Sequence, residues 1–235
     1  MNEQNNNNQQ INRSTGLLVI EVRNSNPNGD PDRESDPRQR QDDIGEISPS
    51  TGSSTVFNPI TIGTGAIFAQ YTVFSDQTGI ITVSGGALSY LLIRDEANGG
   101  GSAVGAVNMT TDESLILYAA GYDADNNYLS DVDGSWSVTG SLDGIASSGT
   151  SIEFSPSTSS TSGTIVLSST GLTSDATGTV TVGTGVLDQI TIRDGSGGSG
   201  SEVEALSLTT DETHAMYMAG YDQDNNYIRD VNGWN

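Results

Sequence analysis

The stretch MTTDESLILYAAGYDADNNY, residues 109–128, recurs as LTTDETHAMYMAGYDQDNNY at residues 208–227, about 99 positions later. Shorter matches share this spacing: TGIITV (78–83) with TGTVTV (177–182), and IRD (93–95) with IRD (192–194). Roughly half of the positions between Asp76 and Gly134 are identical to the residue one period later, which shared composition does not produce. The chain therefore contains a tandem repeat that covers about residues 47–235.

Each period consists of short segments that alternate apolar with polar residues and are rich in Val, Ile, Thr and Tyr. Leu115 and Leu117 illustrate the apolar position at every second residue, which is the period of a β-strand. About seven such segments in each period predict an all-β fold of immunoglobulin-like β-sandwich repeats. In that fold a Trp on the third strand packs between the sheets, and Trp136 and Trp234 are the candidates.

The repeat and the unrelated N-terminal stretch together predict five segments along the chain. They are a disordered polar tail (1–15), a strand-plus-loop segment (16–46), a partial sandwich unit (47–87), a complete unit (88–186) and a second partial unit (187–235). We expect the complete unit to fold as one compact antiparallel sandwich with Trp136 buried. Two circularly shifted units would fill the same length, so the sequence leaves the phase open.

The composition is strongly acidic, which narrows the range of partners. Asp and Glu number 30 against 8 basic residues, all of them Arg, and the formal net charge is −22. A field of this sign repels nucleic acid and anionic lipid. The absence of Cys excludes disulfides and thiolate chemistry. No apolar run approaches the roughly 20 residues of a membrane span, and the first dozen residues lack the pattern of a signal peptide.

The repeated GYD turn carries oxygen-bearing side chains at the spacing D-x-D-x-N-x-x-x-D, which is typical of calcium-binding loops. These side chains are Asp123, Asp125, Asn127 and Asp131 in one unit and Asp222, Asp224, Asn226 and Asp230 in the next. Tyr128 stands where an EF-hand loop requires Gly, and Gly134 stands where it requires a bidentate Glu. We therefore expect a tight turn between the second and third strands and no cofactor, with calcium as the one candidate ligand.

No set of residues predicts catalysis. His214 is the only His, and the repeat aligns it with Leu115, so it is not a base shared by both units. The glycine-rich stretches at 99–102 and 195–201 lack the Lys and the helix of a phosphate-binding loop, so they are hairpin loops or linkers. We predict that the chain is not an enzyme.

Four stretches of the repeat resemble a known family. They are IRDEANGGGSAV, MTTDESLILYAAGYDADNNY, GSWSVTGSLDG and TSGTIVLSS. These stretches resemble the tandem bacterial immunoglobulin-like (Big-type) modules of large secreted and cell-surface proteins, over residues 47–235. The resemblance implies a structural or adhesive role at a cell surface or outside the cell, with an unknown surface or protein ligand as the partner.

The N-terminal stretch GLLVIEVRNSNPNGDPDRESDPRQRQDDIGEIS, residues 16–48, does not belong to the repeat. It is predicted to form one strand over Leu17–Val22 followed by a polar loop with three prolines. Its N-P-N-G-D-P motif resembles the start of the crRNA-binding backbone subunit of type I-C CRISPR surveillance complexes (Cascade), where it follows the first strand of an RRM-like fold. By this resemblance the RNA-binding residues would be Asn26, Asn28, Gly29, Asp30 and Arg38.

Two hypotheses of function follow from the two resemblances. The first is a non-catalytic structural or adhesive piece of a secreted or cell-surface protein. The second is a truncated or chimeric CRISPR backbone subunit in the cytoplasm, with crRNA and other Cascade subunits as partners. Beyond position 40 the basic residues are Arg94, Arg193 and Arg229. Since cations dominate RNA affinity, we expect the chain not to bind RNA.

Overall fold

The computed structural model describes residues 18–24 and 44–232, and every helix or strand in those ranges is a β-strand. The predicted all-β fold class is therefore confirmed. The chain divides into two compact units, residues 1–86 and residues 87–235. The predicted tail and most of the loop after the first strand lie outside the described residues, as do the CRISPR-like positions Asn26, Asn28, Gly29, Asp30 and Arg38.

The strands described in the first unit belong to one four-stranded sheet and one hairpin. They are β1 (Leu18–Asn24), β2 (Gly45–Ser48), β3 (Val56–Pro59), β4 (Gly63–Tyr71), β5 (Phe74–Gln77) and β6 (Ile81–Val83). β4 pairs antiparallel with β1, β5 and β6, and β2 pairs antiparallel with β3. The strand predicted over Leu17–Val22 is observed at Leu18–Asn24, with Leu17 outside the described residues, and it pairs with a strand of the repeat region.

Residues 88–186, the complete repeat, contain eleven strands. They are β7 (Tyr90–Arg94), β8 (Val107–Thr110), β9 (Leu115–Tyr122), β10 (Tyr128–Asp131), β11 (Gly134–Val138), β12 (Ser148–Gly149), β13 (Ser151–Phe154), β14 (Thr161–Gly163), β15 (Ile165–Ser168), β16 (Asp175–Ala176) and β17 (Val180–Gly183). β9 pairs with β7, β10 and β13 in one sheet. A second sheet has the order β12-β11-β15-β16, and a third has the order β14-β17-β8.

Three details of the sandwich differ from the sequence-based expectation. The strands number eleven rather than about seven, since polar turns divide the chain into very short segments. β8 and β17 are parallel, so the sandwich is not antiparallel throughout. A parallel pair needs a long connection, and these two strands are separated by most of the repeat. Trp136 lies on β11, the fifth strand of the repeat rather than the third.

The hydrophobic core of the complete repeat draws residues from all three sheets. Its buried members are Leu91, Ile93, Met109, Leu117, Ala119, Trp136, Leu142, Ile152, Phe154, Ile165, Leu167, Val180 and Val182. The predicted burial of Trp136 is confirmed, because its side chain is 4% exposed. Its indole Nε1–H donates a hydrogen bond of 2.9 Å to the carbonyl oxygen of Gly149, so the one polar atom of the ring is satisfied. Trp234 lies outside the described residues.

Residues 187–232, the C-terminal half-repeat, form a three-stranded antiparallel sheet of β18 (Gln189–Arg193), β19 (Tyr217–Tyr221) and β20 (Tyr227–Asp230). Its pairing copies that of β7, β9 and β10, since Ile192 pairs with Met218 as Ile93 pairs with Ala119. Several of its apolar positions are far more exposed than their counterparts, although Ala219 is buried as Ala120 is. Ile192 is 40% exposed whereas Ile93 is 0% exposed.

Residues 44–86, the N-terminal half-repeat, correspond to the other half of the period. Two matching hydrogen bonds align β4 with β15. In β4, Ile67 accepts a bond from the backbone N–H of Thr78 at 2.9 Å and donates one to the Thr78 hydroxyl at 3.0 Å. In β15, Ile165 makes the same two bonds to Thr177 at 2.9 and 3.0 Å. Ile67 is therefore the structural counterpart of Ile165.

With this alignment β1 occupies the register position that β11 holds in the complete repeat. Val22 pairs with Ile67, as Val138 pairs with Ile165. Ile20 pairs with the residue two places along β4, as Trp136 pairs with the residue two places along β15. The N-terminal strand, which does not belong to the repeat by sequence, thus takes the place of a repeat strand.

Candidate functional site

The first GYD turn joins β9 to β10 and is organised by the carboxylate of Asp123. This side chain is 2% exposed. Its Oδ1 accepts hydrogen bonds from the backbone N–H groups of Asp125 at 3.0 Å and Asn127 at 2.9 Å. The side-chain amide of Asn127 donates to both carboxylate oxygens, at 3.1 and 2.9 Å. Asn126 adopts a left-handed φ of 67°, which Asn tolerates better than most residues. The sequence predicted this tight turn, although it joins the third and fourth strands of the repeat.

The second turn, between β19 and β20, repeats this geometry. Asp222 is 0% exposed, and its Oδ1 accepts bonds from the backbone N–H groups of Asp224 at 3.1 Å and Asn226 at 2.7 Å. The Asn226 amide donates to both oxygens at 3.1 and 3.0 Å. Asn225 has a left-handed φ of 66°. In both turns the first Asp acts as an internal acceptor for the backbone of its own loop.

The last Asp of each predicted calcium set lies on the next strand and has a different set of partners. The carboxylate of Asp131 accepts bonds from the backbone N–H of Asn98 and from the Tyr128 hydroxyl, both at 3.0 Å. Asp230 accepts the equivalent bonds from Gly197 and Tyr227, at 3.0 Å each. The structure therefore brings together the first Asp and the Asn of each set. The last Asp of each set instead holds the glycine-rich loop.

The glycine-rich loop between β7 and β8 is held from the other side by Arg94. Its guanidinium donates bonds of 3.0 to 3.1 Å to the carbonyl oxygens of Gly99, Gly100 and Gly101. Gly99 and Gly101 have φ values of 69° and 60°, a conformation that favours glycine. Arg193 donates in the same way to the loop of the next repeat. The repeated I-R-D motif thus fixes the shape of a loop.

The second turn also binds to the complete repeat. Oδ2 of Asp222 accepts a bond of 2.9 Å from the hydroxyl of Thr111 and one of 3.0 Å from the backbone N–H of Gly185. The amide of Asn226 donates to the carbonyl oxygen of Ser157 at 2.9 Å and accepts from the backbone N–H of Ser159 at 3.0 Å. We call this set of contacts the joint. It connects residues that are 111 positions apart in the chain.

The charge of Asp222 is stabilised where it is buried. Burial alone raises the pKa of a carboxyl group. Hydrogen bonds from the backbone N–H groups of Asn226 and Gly185, and then from the side chains of Asn226 and Thr111, outweigh burial and lower the pKa of Asp222 below its ordinary value. A buried carboxylate that accepts several such bonds interacts strongly with its donors, so the joint is strongest with Asp222 ionised.

The residues that receive the turn were not identified as functional from the sequence. Thr111 donates to Asp222, and the neighbouring Asp112 accepts a bond of 2.6 Å from the backbone N–H of Val186. Both belong to the T-T-D-E motif, which occurs once per period together with the D-x-D-N-N turn. Because the two motifs recur together, their recurrence was the one sequence signal that could have linked Thr111 and Asp112 to the turn. The sequence does not reveal that the motif of one repeat binds the turn of the next, because they are distant in the chain.

Within residues 18–24 and 44–232, no three His, Cys, Asp or Glu side chains are grouped so that they could hold a metal ion. The same residues include no helix with the length and apolar character to cross a membrane. Asp125 and Asp224 have exposed side chains and contribute their backbone N–H groups to the turns. In each predicted calcium set, the first Asp therefore accepts bonds from its own turn, whereas the last Asp accepts a bond from the glycine-rich loop.

No family model matches this chain, and no curated protein matches it. Among solved structures, it is similar to surface layer protein SbsC, domains 4-9, at 15% identity and a TM-score of 0.30, covering 91% of this chain and 29% of that one. It is also similar to surface layer protein SbsC, domains 1-6, at 14% identity and a TM-score of 0.30, covering 91% of this chain and 24% of that one. This chain thus spans less than a third of either solved chain.

Proposed function

We propose that this chain is a non-catalytic structural or adhesive protein of the cell surface or extracellular space, in which sandwich repeats are joined rigidly in series. The observation that supports the proposal most directly is the joint. Asp222 is 0% exposed and accepts hydrogen bonds from its own turn and from two residues of the preceding repeat. A charge is buried in this way only where its partners are fixed in position.

The connection between the two repeats supports the same proposal, because it is not a free linker. β17 ends at Gly183 and β18 begins at Gln189. Within this short connection the N–H groups of Gly185 and Val186 are bonded to Asp222 and to Asp112. A Gly-rich or Ser-rich linker without such bonds would let successive domains reorient. Fixed orientation suits a protein that spaces or presents an attached group, and the partner would be a surface or protein ligand.

The joint can be tested by small-angle scattering of the full chain and of a Thr111→Val, Asp222→Asn double variant. We expect the distribution of dimensions to be broader and longer for the variant than for the wild type. The control is Asp224→Asn, which alters an exposed side chain of the same turn. Equal distributions for the wild type and the double variant would contradict the rigid joint.

The location can be tested by antibody labelling of cells that produce the chain. The proposal predicts labelling of intact cells, and labelling only after permeabilisation would contradict it.

The CRISPR-subunit alternative rests mainly on the N-terminal motif. Its RNA-binding positions lie outside the described residues, and no contact among residues 18–24 and 44–232 bears on them. The net charge of −22 opposes RNA binding by the chain as a whole. We therefore treat RNA binding as an outcome to be measured.

A further inference from the structure

The C-terminal half-repeat exposes one apolar face. Ile190 is 56% exposed, Ile192 40%, Leu208 49% and Met216 44%. Scattered apolar residues are normal at a surface, but four exposed apolar residues whose counterparts all belong to one core indicate a contact surface. All four positions belong to the repeat and have counterparts 99 residues earlier.

The complete repeat shows what covers this face. The counterparts Leu91, Ile93, Met109 and Leu117 are 1%, 0%, 7% and 0% exposed, and all belong to its hydrophobic core. They are covered by core residues from the second half of the same repeat, among them Trp136, Ile165 and Leu167. β13 pairs with β9, and β17 pairs in parallel with β8. An interface that covers this face therefore already exists once within the chain, between the two halves of the complete repeat.

The N-terminal half-repeat carries the matching second half. By sequence, β3 corresponds to β13 and β6 to β17, and by hydrogen bonding β4 corresponds to β15. Phe57, Ile81 and Val83 are each half-buried. Their counterparts Phe154, Val180 and Val182 are 0%, 0% and 1% exposed. The core-facing positions of this half-repeat therefore also lack part of their cover.

Between them, the two half-repeats and β1 provide counterparts of every strand of the complete repeat except the two-residue β12. The C-terminal half supplies β18, β19 and β20 as counterparts of β7, β9 and β10, together with the segment that corresponds to β8. The N-terminal half supplies counterparts of β13 to β17. Neither half contains a described counterpart of β11, and β1 occupies that register position on β4.

We propose that the C-terminal half-repeat of one copy binds the N-terminal half-repeat of a second copy and completes a sandwich repeat between them. The contact joins two different surfaces, so it is heterologous and extends into linear assemblies. Each copy carries a net charge of −22, which opposes association at low ionic strength. The assembly should therefore strengthen as salt screens this repulsion. The inference does not depend on the proposed cellular location.

The first test is the molar mass of the full chain by sedimentation equilibrium at several concentrations and salt levels. We expect the mass to rise above 24.4 kDa with concentration, and more steeply at higher salt. Leu208→Asp places a charge on the proposed surface and should raise the concentration needed for association at least tenfold. Ile116→Asp is the matched control, because Ile116 is also 49% exposed but lies outside this surface. A mass of 24.4 kDa under all conditions would overturn the proposal, as would equal effects of the two variants.

The second test is disulfide trapping. The chain has no Cys, so only the introduced cysteines can form disulfides. In the complete repeat Thr181 pairs with Asn108, and the counterparts of these two residues are the exposed Thr82 and Ser207. Cα atoms of paired strand residues are close enough for a disulfide. A Thr82→Cys, Ser207→Cys variant should form covalent dimers and a ladder of higher multimers on oxidation.

A Thr82→Cys, Ser201→Cys variant, which is out of register, is the control for trapping by random collision. Ladders of equal intensity from both variants would overturn the proposal, and so would a disulfide formed only within single chains.

Discussion

The first half of the complete repeat and the C-terminal half-repeat share roughly half of their residues and have the same strand pairing, but they differ in burial. Ile93 and Ile192 each lie on a strand that pairs with the central strand of its sheet. Ile93 is 0% exposed and Ile192 is 40% exposed. The same strand pairing therefore forms in both places, whereas burial depends on whether strands from the rest of the period lie against the sheet.

The largest expected change in stability comes from removing the ring of Trp136. Among the described residues, the complete repeat has a Trp in its core and the C-terminal half-repeat has none. Trp136→Ala removes a core ring that is 4% exposed, so it should lower the free energy of unfolding by about 3 to 5 kcal/mol. Urea denaturation followed by circular dichroism measures this change. An unchanged midpoint would mean that the core assigned to residues 88–186 is wrong.

The matched pair Ile93→Ala and Ile192→Ala tests the difference in burial directly. Ile93→Ala should cost about 2 to 5 kcal/mol, because it leaves a cavity in a packed core. Ile192→Ala should change stability by no more than about 0.5 kcal/mol under conditions in which the chain is monomeric. Comparable losses in the two variants would show that the half-repeat is covered in solution even as a monomer.

The joint should have a smaller effect that depends on pH. Asp222→Ala leaves several donors without their acceptor and should cost about 1 to 3 kcal/mol, whereas Asp224→Ala, the exposed control, should cost little. The pKa of Asp222 is lowered in the folded protein. Its contribution is therefore complete above the unfolded pKa of about 3.9 and is lost as pH falls through the lower folded value.

The measurement that checks this is the urea midpoint between neutral pH and pH 3, with wild type and Asp222→Asn compared. The difference between the two should shrink at the acid end. A difference that grows with acid would contradict the ionised carboxylate at the joint.

Calcium should have little effect, because each turn carboxylate already accepts bonds from its own loop. Millimolar calcium should raise the melting temperature no more than magnesium at equal concentration, since both screen the negative charge. Thermal melts with each ion measure this. A rise that is selective for calcium, and that Asp123→Ala with Asp222→Ala abolishes, would restore the calcium site.

RNA binding is expected to be the smallest effect. The first 50 residues contain five Arg but nine acidic residues, so even this segment is net negative. Binding should be weaker than the roughly 10⁻⁴ to 10⁻⁶ M of nonspecific nucleic-acid binding. A filter-binding titration at moderate salt measures it. Saturable nanomolar binding that weakens on Asn28→Ala or Arg38→Ala would instead favour the CRISPR-subunit hypothesis.

The sequence predicted features that depend on neighbouring residues. The alternation around Leu115 and Leu117 predicted strands, and the Asp and Asn residues at 123–127 predicted a tight turn. Both predictions rely on interactions within a few residues, where spacing and side-chain type are sufficient. The burial of Trp136 was also predicted correctly, although the predicted position was the third strand of the repeat and the observed one is the fifth.

The sequence did not reveal the parallel pairing of β8 with β17, the bond between Thr111 and Asp222, or the pairing of β1 with β4. Each connects segments that are far apart in the chain, and strand register between such segments leaves no local mark in either one. The amino-acid sequence by itself determined the period, the strands and the turns of this protein. Only the tertiary structure decided which strands are buried and which motif receives the next turn, because both depend on the surface that lies opposite.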